Sequence, residues 1–510
     1  MTRTPTRRAW AAATLAILAA APGPGTAAAT AADAVPQLPA VFASPGALGA
    51  PGFTLESRFG AVEEHGGAVW YRLRPPFADP DFRPFSFEPR KNTLLALGEV
   101  LAINFGMWFV SYWAGNDFSK IGFDTIGQNF RKGWIIDTDP YWVNQLGHPL
   151  EGNLFYTAAR STGHGFYESF AASFLGSLFW EQFMEVQAPS VNDQITTPIG
   201  GTLLGEVLFR MNRLILDSRG VEPGFWREAA AFALCPICGL NRLATGDRYR
   251  GEMLLPPSWI GEFRLGTVIG ASANDAGSGA SARKVGPWAS IGGRIIYGVP
   301  GTPDLRLRKP LDHFDLDFAF AFTGSDEPNG GLQIRGLVVG ETIGDGYGFG
   351  GLWGLFGTYD ITGVPVFKAS GVGLGPGVSL MNRWGRFELH GTALAELLPW
   401  AGGGSMEKLF ARDYHYGPGT KGTLAFRGHF SDRATLDVSF RQYFISGAYA
   451  TGSSEDIFYG KSTLTVRIHG PHAVSGTVDW SRRHARYPDH PDVMQHASVW
   501  SAHYTLLQGW

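Results

Sequence analysis

The residues that could do chemistry are concentrated between positions 137 and 206. They combine carboxylates, imidazoles, an amide and a guanidinium, and the set is Asp137, Asp139, Asn144, His148, Glu151, Arg160, His164, Glu168, Glu181, Asp193 and Glu206. Imidazole and carboxylate groups can transfer protons or bind a divalent metal, and a guanidinium can hold a phosphate or a carboxylate. The segment therefore predicts an acid–base site or a binding site for an anionic ligand.

The catalytic hypothesis uses four members of this set: His148, His164, Glu168 and Asp193. Either histidine could act as the base, with Glu151, Glu168 or Asp193 as its acidic partner. The spacing of four residues predicts that His164 and Glu168 lie one helical turn apart. The other seven residues of the set are candidate binding groups, and Arg160 among them would steer a phosphate.

Structural roles are the alternative for every one of these residues. The chain has no H-E-x-x-H metal motif and no G-x-S-x-G nucleophile turn. Buried salt bridges and helix caps use the same side chains, and Ser190 or Asp193 could cap the helix that follows. No cofactor is predicted, and a divalent metal stays open as an alternative.

Long apolar segments with helical spacing carry these residues between positions 91 and 250. One predicted helix, from His164 to Val186, has a polar row at every fourth position, namely Ser169, Ser173, Ser177, Glu181 and Glu185. Gly201 and Gly205 form a small-x-x-x-small pair in the next segment, which allows helices to approach closely. We therefore expect these two helices to pack against each other.

An apolar segment from Thr93 to Ala114 precedes the candidate residues. Glu99 is its single charged residue, and the segment is long enough to cross a bilayer. A spanning helix would halt export of the chain at the inner membrane. We interpret the segment as a buried or membrane-surface helix, with a spanning helix as the alternative.

From about residue 255 onward the hydrophobic period changes to two. In one such run the apolar positions are Phe314, Leu316, Phe318, Phe320 and Phe322, and the residues between them are small or acidic. About twelve runs of this kind, separated by Gly, Pro, Asp and Asn turns, are typical of an outer-membrane barrel. The last run places Trp500, Ala502, Tyr504, Leu506 and Trp510 on one face. The predicted fold is α+β, a helical domain followed by an antiparallel transmembrane β-barrel of about 12 strands; a soluble β domain is the alternative.

The polar faces of these strands carry charges of both signs: Arg386, Glu388, Arg427, Asp437, Arg441, Arg467 and Asp479. Charges that point into a barrel can pair across strands and fill its interior. The pattern predicts a lumen closed by side chains or by a plug, and it argues against a wide pore.

The N-terminus and the composition predict an exported protein. Arg7 and Arg8 precede an apolar run and A-x-A sites, which indicates a signal peptide over 1–34. A Pro- and Gly-rich linker is predicted over 35–90, the helical domain over 91–250 and the barrel over 255–510.

The net charge of -3 among 510 residues gives no basic excess for nucleic acid. Cys235 and Cys238 form one C-P-I-C segment outside any βαβ pattern, which argues against a thioredoxin-like site.

A series of short motifs resembles a Gram-negative envelope family known as a domain of unknown function. The motifs are Asp137-Thr138-Asp139, Asn144 through His148-Pro149 to Gly152, Ala159-Arg160, Ser177-x-x-Trp180-Glu181, Ser190-x-x-Asp193, Thr197-Pro198-x-Gly200-Gly201, Gly205-Glu206, Asn241-Arg242 with Gly246, and Arg412 through Gly417. The resemblance covers roughly 90 to 250 and part of the strand-rich half. It implies an envelope location and a helical-plus-β layout, and it implies no particular activity.

Two classes of function follow from the sequence. The first is a structural or transport role in lipid or small-solute handling, by an outer-membrane barrel with a helical plug or docking domain. The second is a membrane-embedded hydrolase or transferase that acts on lipid or lipopolysaccharide. The expected location is the outer membrane, with the helical domain periplasmic or membrane-associated. The expected partners are outer-membrane lipid and, during biogenesis, the barrel assembly machinery.

Overall fold

The architecture is given by a computed structural model. It describes residues 91–508 except 218–221, 251–255, 276–279, 323–328, 345–347, 365–366, 405–413, 450–451 and 489, together with a short hairpin of Glu63–His65 and Ala68–Trp70. The expected signal peptide, most of the expected linker, Arg412 and Trp510 lie outside the described residues.

Seven α-helices form the described part of the N-terminal half: α1 Thr93–Trp113, α2 Phe123–Lys132, α3 His148–Ser161, α4 Phe166–Phe179, α5 Val191–Leu216, α6 Phe225–Leu234 and α7 Pro236–Thr245. A π-helical turn, Val143–Gly147, leads into α3, and another, Trp180–Met184, extends α4. The predicted cap is present, because the Ser190 side chain accepts a hydrogen bond from the Asp193 amide at the start of α5.

Twelve antiparallel strands follow: β1 Trp259–Asp275, β2 Ala280–Tyr297, β3 Phe314–Ala321, β4 Asn329–Gly344, β5 Phe349–Val364, β6 Phe367–Trp384, β7 Phe387–Gly404, β8 Tyr414–Phe430, β9 Ala434–Ser446, β10 Ser454–His469, β11 His472–Tyr487 and β12 His490–Gln508. Each strand pairs with the next, and β12 pairs with β1 to close the barrel. The predicted fold class and strand number are confirmed.

The barrel has an apolar outside and a polar inside. Large side chains that alternate along its strands are exposed on the outer wall, among them Leu265, Val339, Trp353, Leu397, Leu424, Ile468, Trp500 and Tyr504. A soluble barrel buries its apolar face, whereas a membrane barrel presents it to lipid. The predicted alternation therefore has the orientation that a bilayer requires.

Ion pairs between distant strands close the lumen. Arg427 of β8 pairs with Glu262 of β1, and Arg294 of β2 pairs with Asp437 of β9. Lys461 of β10 likewise reaches Asp317 of β3. Each of these pairs joins strands that are five positions apart around the circumference. Side chains that meet across the interior leave little continuous space along the barrel axis, as the mixed charges predicted.

A loop folds into one mouth of the barrel. We call the end at which β1 begins and β12 ends the entry end, and the opposite end the far end. Residues 298–313 connect β2 to β3 at the entry end, and we call them the entry loop. Leu305 of this loop packs on Leu337, Leu352 and Phe356, whose side chains point inward. The entry loop therefore blocks this mouth.

The helical domain lies against the outer wall of the barrel. Tyr359 and Ile361 lie on the face of β5 opposite to the inward-pointing Asp360, and both belong to one apolar cluster with Leu203 and Leu204 of α5. The docked wall runs from β2 to β8, because the same cluster contains Ile295, Phe314, Ile334, Val372, Trp400, Tyr414 and Tyr416. Of the two arrangements expected from sequence, docking describes these helices and plugging does not.

Helix α5 spans the height of this wall. Near its far-end start the Thr196 hydroxyl donates to the Asn144 carbonyl, beside the tyrosines that begin β8. Toward its other end Arg210 pairs with Asp312 of the entry loop. A helix of 26 residues is about 39 Å long, which exceeds the roughly 30 Å of a hydrocarbon core.

Helix α1 leaves most of its apolar side chains exposed. Leu94, Phe109 and Trp113 are each more than half exposed, and the buried residues are Ala96, Val100, Asn104 and Ser111. By length and composition it is the one described helix able to cross a membrane. The expectation of a buried helix is therefore wrong, because α1 packs on the other helices through one narrow stripe. A helix on the membrane surface and a spanning helix both agree with this exposure.

Candidate functional site

Two carboxylates flank one imidazole where α3 and α5 meet at the far end. His148 is the first residue of α3, and its Nδ1 lies 3.3 Å from Oε2 of Glu151, one turn further along the same helix. Its Nε2 lies 3.5 Å from Oδ1 of Asp193, in the first turn of α5. All three side chains are buried. The structure thus brings together three residues that the sequence placed in one candidate set.

A network of amides holds Asp193 and a further carboxylate in place. The Asn192 amide donates to Asp193 at 2.8 Å and to Asp137 at 2.9 Å. Asn144 donates to the same oxygen of Asp137 at 2.7 Å. The Ser190 hydroxyl in turn donates to the Asn192 side chain. These contacts fix the α5 N-terminus to the segment before α3.

More acidic groups lie around this centre. Glu181 accepts a hydrogen bond from the Ser190 amide at 2.6 Å. Glu185 follows the α4 extension in the connecting loop and accepts from the Trp180 indole; burial raises its pKa to about 7. Burial also raises the pKa of Asp139, and the negative charge of Asp137 adds to this effect. The His148 cluster, which we define as His148, Glu151, Asp193, Asp137, Asp139, Glu181 and Glu185, thus has one imidazole among six carboxyl groups.

Buried oxygen atoms in the His148 cluster lack donors. Oε1 of Glu151 and Oδ1 of the adjacent Asn144 have no hydrogen-bond partner among the described residues. Buried acceptors without donors are costly, and such sites commonly receive a proton, a water or a ligand. Both ring nitrogens of His148 face carboxylates, so neither is directed at a shared metal position. This arrangement suits proton transfer better than metal ligation.

The barrel wall supports the His148 cluster from outside. Asn144 donates to the Tyr414 hydroxyl at 2.8 Å, and Gln145 donates to the Tyr416 hydroxyl at 2.7 Å. Tyr359 donates to the Gln145 carbonyl. The π-helical turn that leads into His148 is therefore held by tyrosines of β5 and β8.

Arg160 and Glu206 form a separate cluster toward the entry end. Arg160 and Arg210 both pair with Glu206 at 2.8 Å, and Tyr156 donates to the same carboxylate at 2.7 Å. Because Glu206 already neutralises Arg160, the expected phosphate-steering role of Arg160 is not supported. The cluster instead ties α3 to α5.

His164 and Glu168 do not join His148. Helix α4 begins at Phe166, so His164 lies in the preceding turn, and the expected spacing of one helical turn is wrong. His164 contacts the Thr93 hydroxyl at 3.1 Å and the Ala159 carbonyl at 3.1 Å. Glu168 accepts from the Gly165 amide and pairs with Lys91 at the surface. Both residues organise the turn between α3 and α4.

Sequence reasoning missed Asn192 and the supporting tyrosines. Asn192 stands inside the Ser190-x-x-Asp193 motif, directly before the candidate acid. An amide at a helix N-terminus beside a carboxylate is a signal that could have drawn attention to it. Tyr414 and Tyr416 belong to the motif from Arg412 to Gly417, more than 200 positions away. The motif alone did not indicate that their hydroxyls contact the turn that leads into His148.

The helical part has a recognisable family signature. Residues 133–237 match the model of a domain of unknown function, DUF3943. The matched segment contains the whole His148 cluster and the docking face of α5. The resemblance predicted from the short motifs is thereby confirmed. No curated protein is significantly similar in sequence.

Solved structures similar to the barrel half are outer-membrane proteins. They include the outer membrane protease OmpT from Escherichia coli (8% identity, covering 50% of this chain and 97% of that chain, TM-score 0.19). The Pseudomonas putida toluene transporter TodX (10% identity, 50% and 90%, TM-score 0.22) and the NanC porin (9% identity, 47% and 98%, TM-score 0.23) are others. The similarity concerns the barrel fold.

Proposed function

We propose that this protein is a non-conducting outer-membrane barrel whose DUF3943 segment lies beside it in the membrane and does acid–base chemistry on an amphiphile. The substrate class is lipid or lipopolysaccharide, and the reaction class is hydrolysis or group transfer. One observation carries the proposal: His148 lies between two buried carboxylates, in a domain docked on the lipid-facing wall of a closed barrel.

The apolar surfaces support this location. The exposed side chains of α1 and those of the outer barrel wall are both apolar, so water would contact both surfaces if they lay outside a bilayer. Helices α1 and α5 are both long enough to cross the hydrocarbon core. The short turns at the entry end, such as 385–386 and 431–433, are typical of the periplasmic side of such barrels. The His148 cluster would then lie toward the outer leaflet.

The chemistry would centre on His148. Glu151 and Asp193 stabilise a positive imidazole, so His148 could act as the general acid that donates a proton to the oxygen leaving an ester or phosphate. Oε1 of Glu151, which has no donor among the described residues, could accept the proton of the attacking water or hydroxyl. The contacts of 3.3 and 3.5 Å are longer than charge-assisted hydrogen bonds, which leaves room for closer approach when a substrate is bound. Asn192 and Asn144 would keep the acidic groups oriented.

A structural or transport role is the competing proposal. Passage through the lumen is disfavoured because ion pairs and the entry loop close it. A purely structural role for the His148 cluster is consistent with its burial. It predicts that isosteric changes in the cluster alter stability while leaving membrane lipids unchanged.

Lipid analysis separates the two proposals. Outer-membrane lipids and lipopolysaccharide would be compared by mass spectrometry in cells that lack the protein, complemented with wild type, His148→Gln or Asp193→Asn. Glu168→Gln is the matched control, because Glu168 is a surface carboxylate at the other end of the bundle. Heat-dependent gel mobility would confirm that each variant contains a folded barrel.

The enzyme proposal expects a lipid species that wild type and Glu168→Gln restore and that the two cluster variants do not. Identical profiles in all folded variants would reject it and favour the structural role. A loss in every variant, the control included, would also count against His148, because the effect would then not depend on the cluster.

A further inference from the structure

Two histidines and a glutamate lie together inside the barrel near the entry end. Glu388 and His390 are on β7, and His429 is on the neighbouring β8. The strand register sets Glu388 opposite His429 and His390 opposite Arg427. Arg427 points into the lumen toward Glu262, and residues two apart on a strand share a face. All three side chains therefore point inward.

We propose that these three residues form a zinc site, distinct from the His148 cluster. Each offers one ligand atom, and these atoms all lie within 4.8 Å of one another. Glu388 Oε1 is already 2.6 Å from His390 Nε2. Two imidazoles and one carboxylate are a common set of three protein ligands for Zn²⁺, which leaves a fourth position open. Among the described residues no other group of His, Cys, Asp and Glu meets this spacing.

The neighbouring arginines leave the ligands usable. Arg383 binds Oε2 of Glu388, which directs Oε1 toward His390. Arg427 donates to His429 Nε2 at 3.1 Å, but it also pairs with Glu262 and Asp437. Arg427 would keep both of these contacts, in which the carboxylates also pair with Arg264 and Arg294, if it gave up the histidine contact to an entering cation.

Space for the fourth ligand is present beside His390. A lumen cavity of about 30 Å³ is lined by His390, Thr392, Ser379 and His313, among others. This exceeds the roughly 10–15 Å³ that a cavity needs to hold one water. A water in this cavity could bind the ion on the side of His390, with the Ser379 and Thr392 hydroxyls as hydrogen-bond partners.

The position of the site also suits ion entry. Glu388 is the second residue of β7, directly after the turn at the entry end, and the three ligands are only half-buried. An ion would therefore reach the site past the entry loop and would not have to cross the length of the lumen. Because His313 and Pro300 of the entry loop line the same cavity, bound zinc would also hold this loop.

Metal titration of the purified, folded full-length chain in detergent tests the proposal. The probes are Zn²⁺, measured by calorimetry, and Co²⁺, measured by its visible absorption. The variants are His390→Ala, His429→Ala and Glu388→Gln. The control is His469→Ala, which removes an exposed histidine at the same end of the barrel.

We expect one Zn²⁺ per chain in wild type and in His469→Ala. Removal of a residue that hydrogen-bonds to a metal ligand typically lowers metal affinity by about 10–100-fold. Removal of a ligand itself should lower the affinity for Zn²⁺ by more than that. Wild type that binds no zinc, or ligand variants that bind as tightly as wild type, would overturn the proposal. Glu388→Gln retains the shape of the side chain, so this variant should still fold. It therefore tests zinc binding even if an alanine variant does not form a folded barrel.

Discussion

Gly201 of α5 meets Gly152 of α3 with no side chain between them. A Cβ on Gly201 would lie 2.5 Å from the Gly152 carbonyl carbon and 2.6 Å from its Cα. Backbone atoms cannot move aside as a flexible side chain can, so the two helices require glycine here. The contact sets the distance between the helices that carry His148 and Asp193.

Gly201→Ala should therefore separate α3 from α5 and lower the free energy of unfolding by about 1–3 kcal/mol. Thermal unfolding in detergent, followed by circular dichroism, measures the loss. Gly98→Ala in α1 is the control, because nothing lies within 4 Å of its Cβ position. That control should be neutral or slightly stabilising, since alanine favours helix over glycine. Equal melting temperatures for the two variants would contradict the close contact.

Arg210→Met should release the entry loop from the helical domain. Arg210 lies 3.0 Å from Asp312, and its other partner, Glu206, is fully buried. Removal of one member of a buried ion pair costs about 3–5 kcal/mol, and we expect the lower value because Arg160 still pairs with Glu206. Trypsin should cut more quickly after Arg306 and Arg308 in the loop. Lys120→Met, which breaks an exposed pair, should leave the cleavage rate unchanged.

Glu185 should make stability depend on pH. Its pKa in the folded protein is about 7, against an ordinary value of 4.5. Between these values the folded state retains a proton that the unfolded state releases, so this contribution to stability is lost as pH rises from about 4.5 to about 7. Glu185→Gln should match wild type near pH 5 and exceed its melting temperature at pH 8. Glu168→Gln is the control, because Lys91 lowers the pKa of Glu168 below this window.

The closed lumen predicts a low conductance. Purified wild type in planar bilayers should show no steady porin-like current, because the cross-lumen pairs and the entry loop occupy the interior. The double variant Arg294→Ala and Arg427→Ala removes two of these bridges and should raise the current. Arg486→Ala, at an exposed far-end pair with Asp456, should not. A large current through wild type would show that the lumen is open in the membrane.

The barrel was predictable because its signal is local. The alternation of Phe314, Leu316, Phe318 and Phe320 predicted both the strand and its apolar face. It could not predict what covers that face, because lipid and a helix both accept apolar side chains. In the structure Phe320 contacts Trp142, with 6.4 Å between ring centroids. The alternation of apolar residues therefore could not predict that helices dock on the outer wall.

The sequence predicted which residues belong to the candidate site better than it predicted which of them lie together. His148, Glu151 and Asp193 stood in the candidate set because their chemistry is visible in sequence. Their association depends on how α3 crosses α5, which is set by the Gly152 and Gly201 contact and by tyrosines far along the chain. The pairing of His164 with Glu168 assumed a continuous helix, whereas the helix begins only after His164.

The docked wall has a consequence for the order of assembly. The helices precede the barrel in the chain, yet the surface that receives them extends from β2 to Tyr414 and Tyr416 in β8. That surface does not exist until two thirds of the strands have been made and have curved into place. The helical segment must therefore wait, with the apolar face that docks on the wall uncovered, until the later strands arrive. Protein synthesis and final docking are thus separated in time by the geometry of the finished molecule.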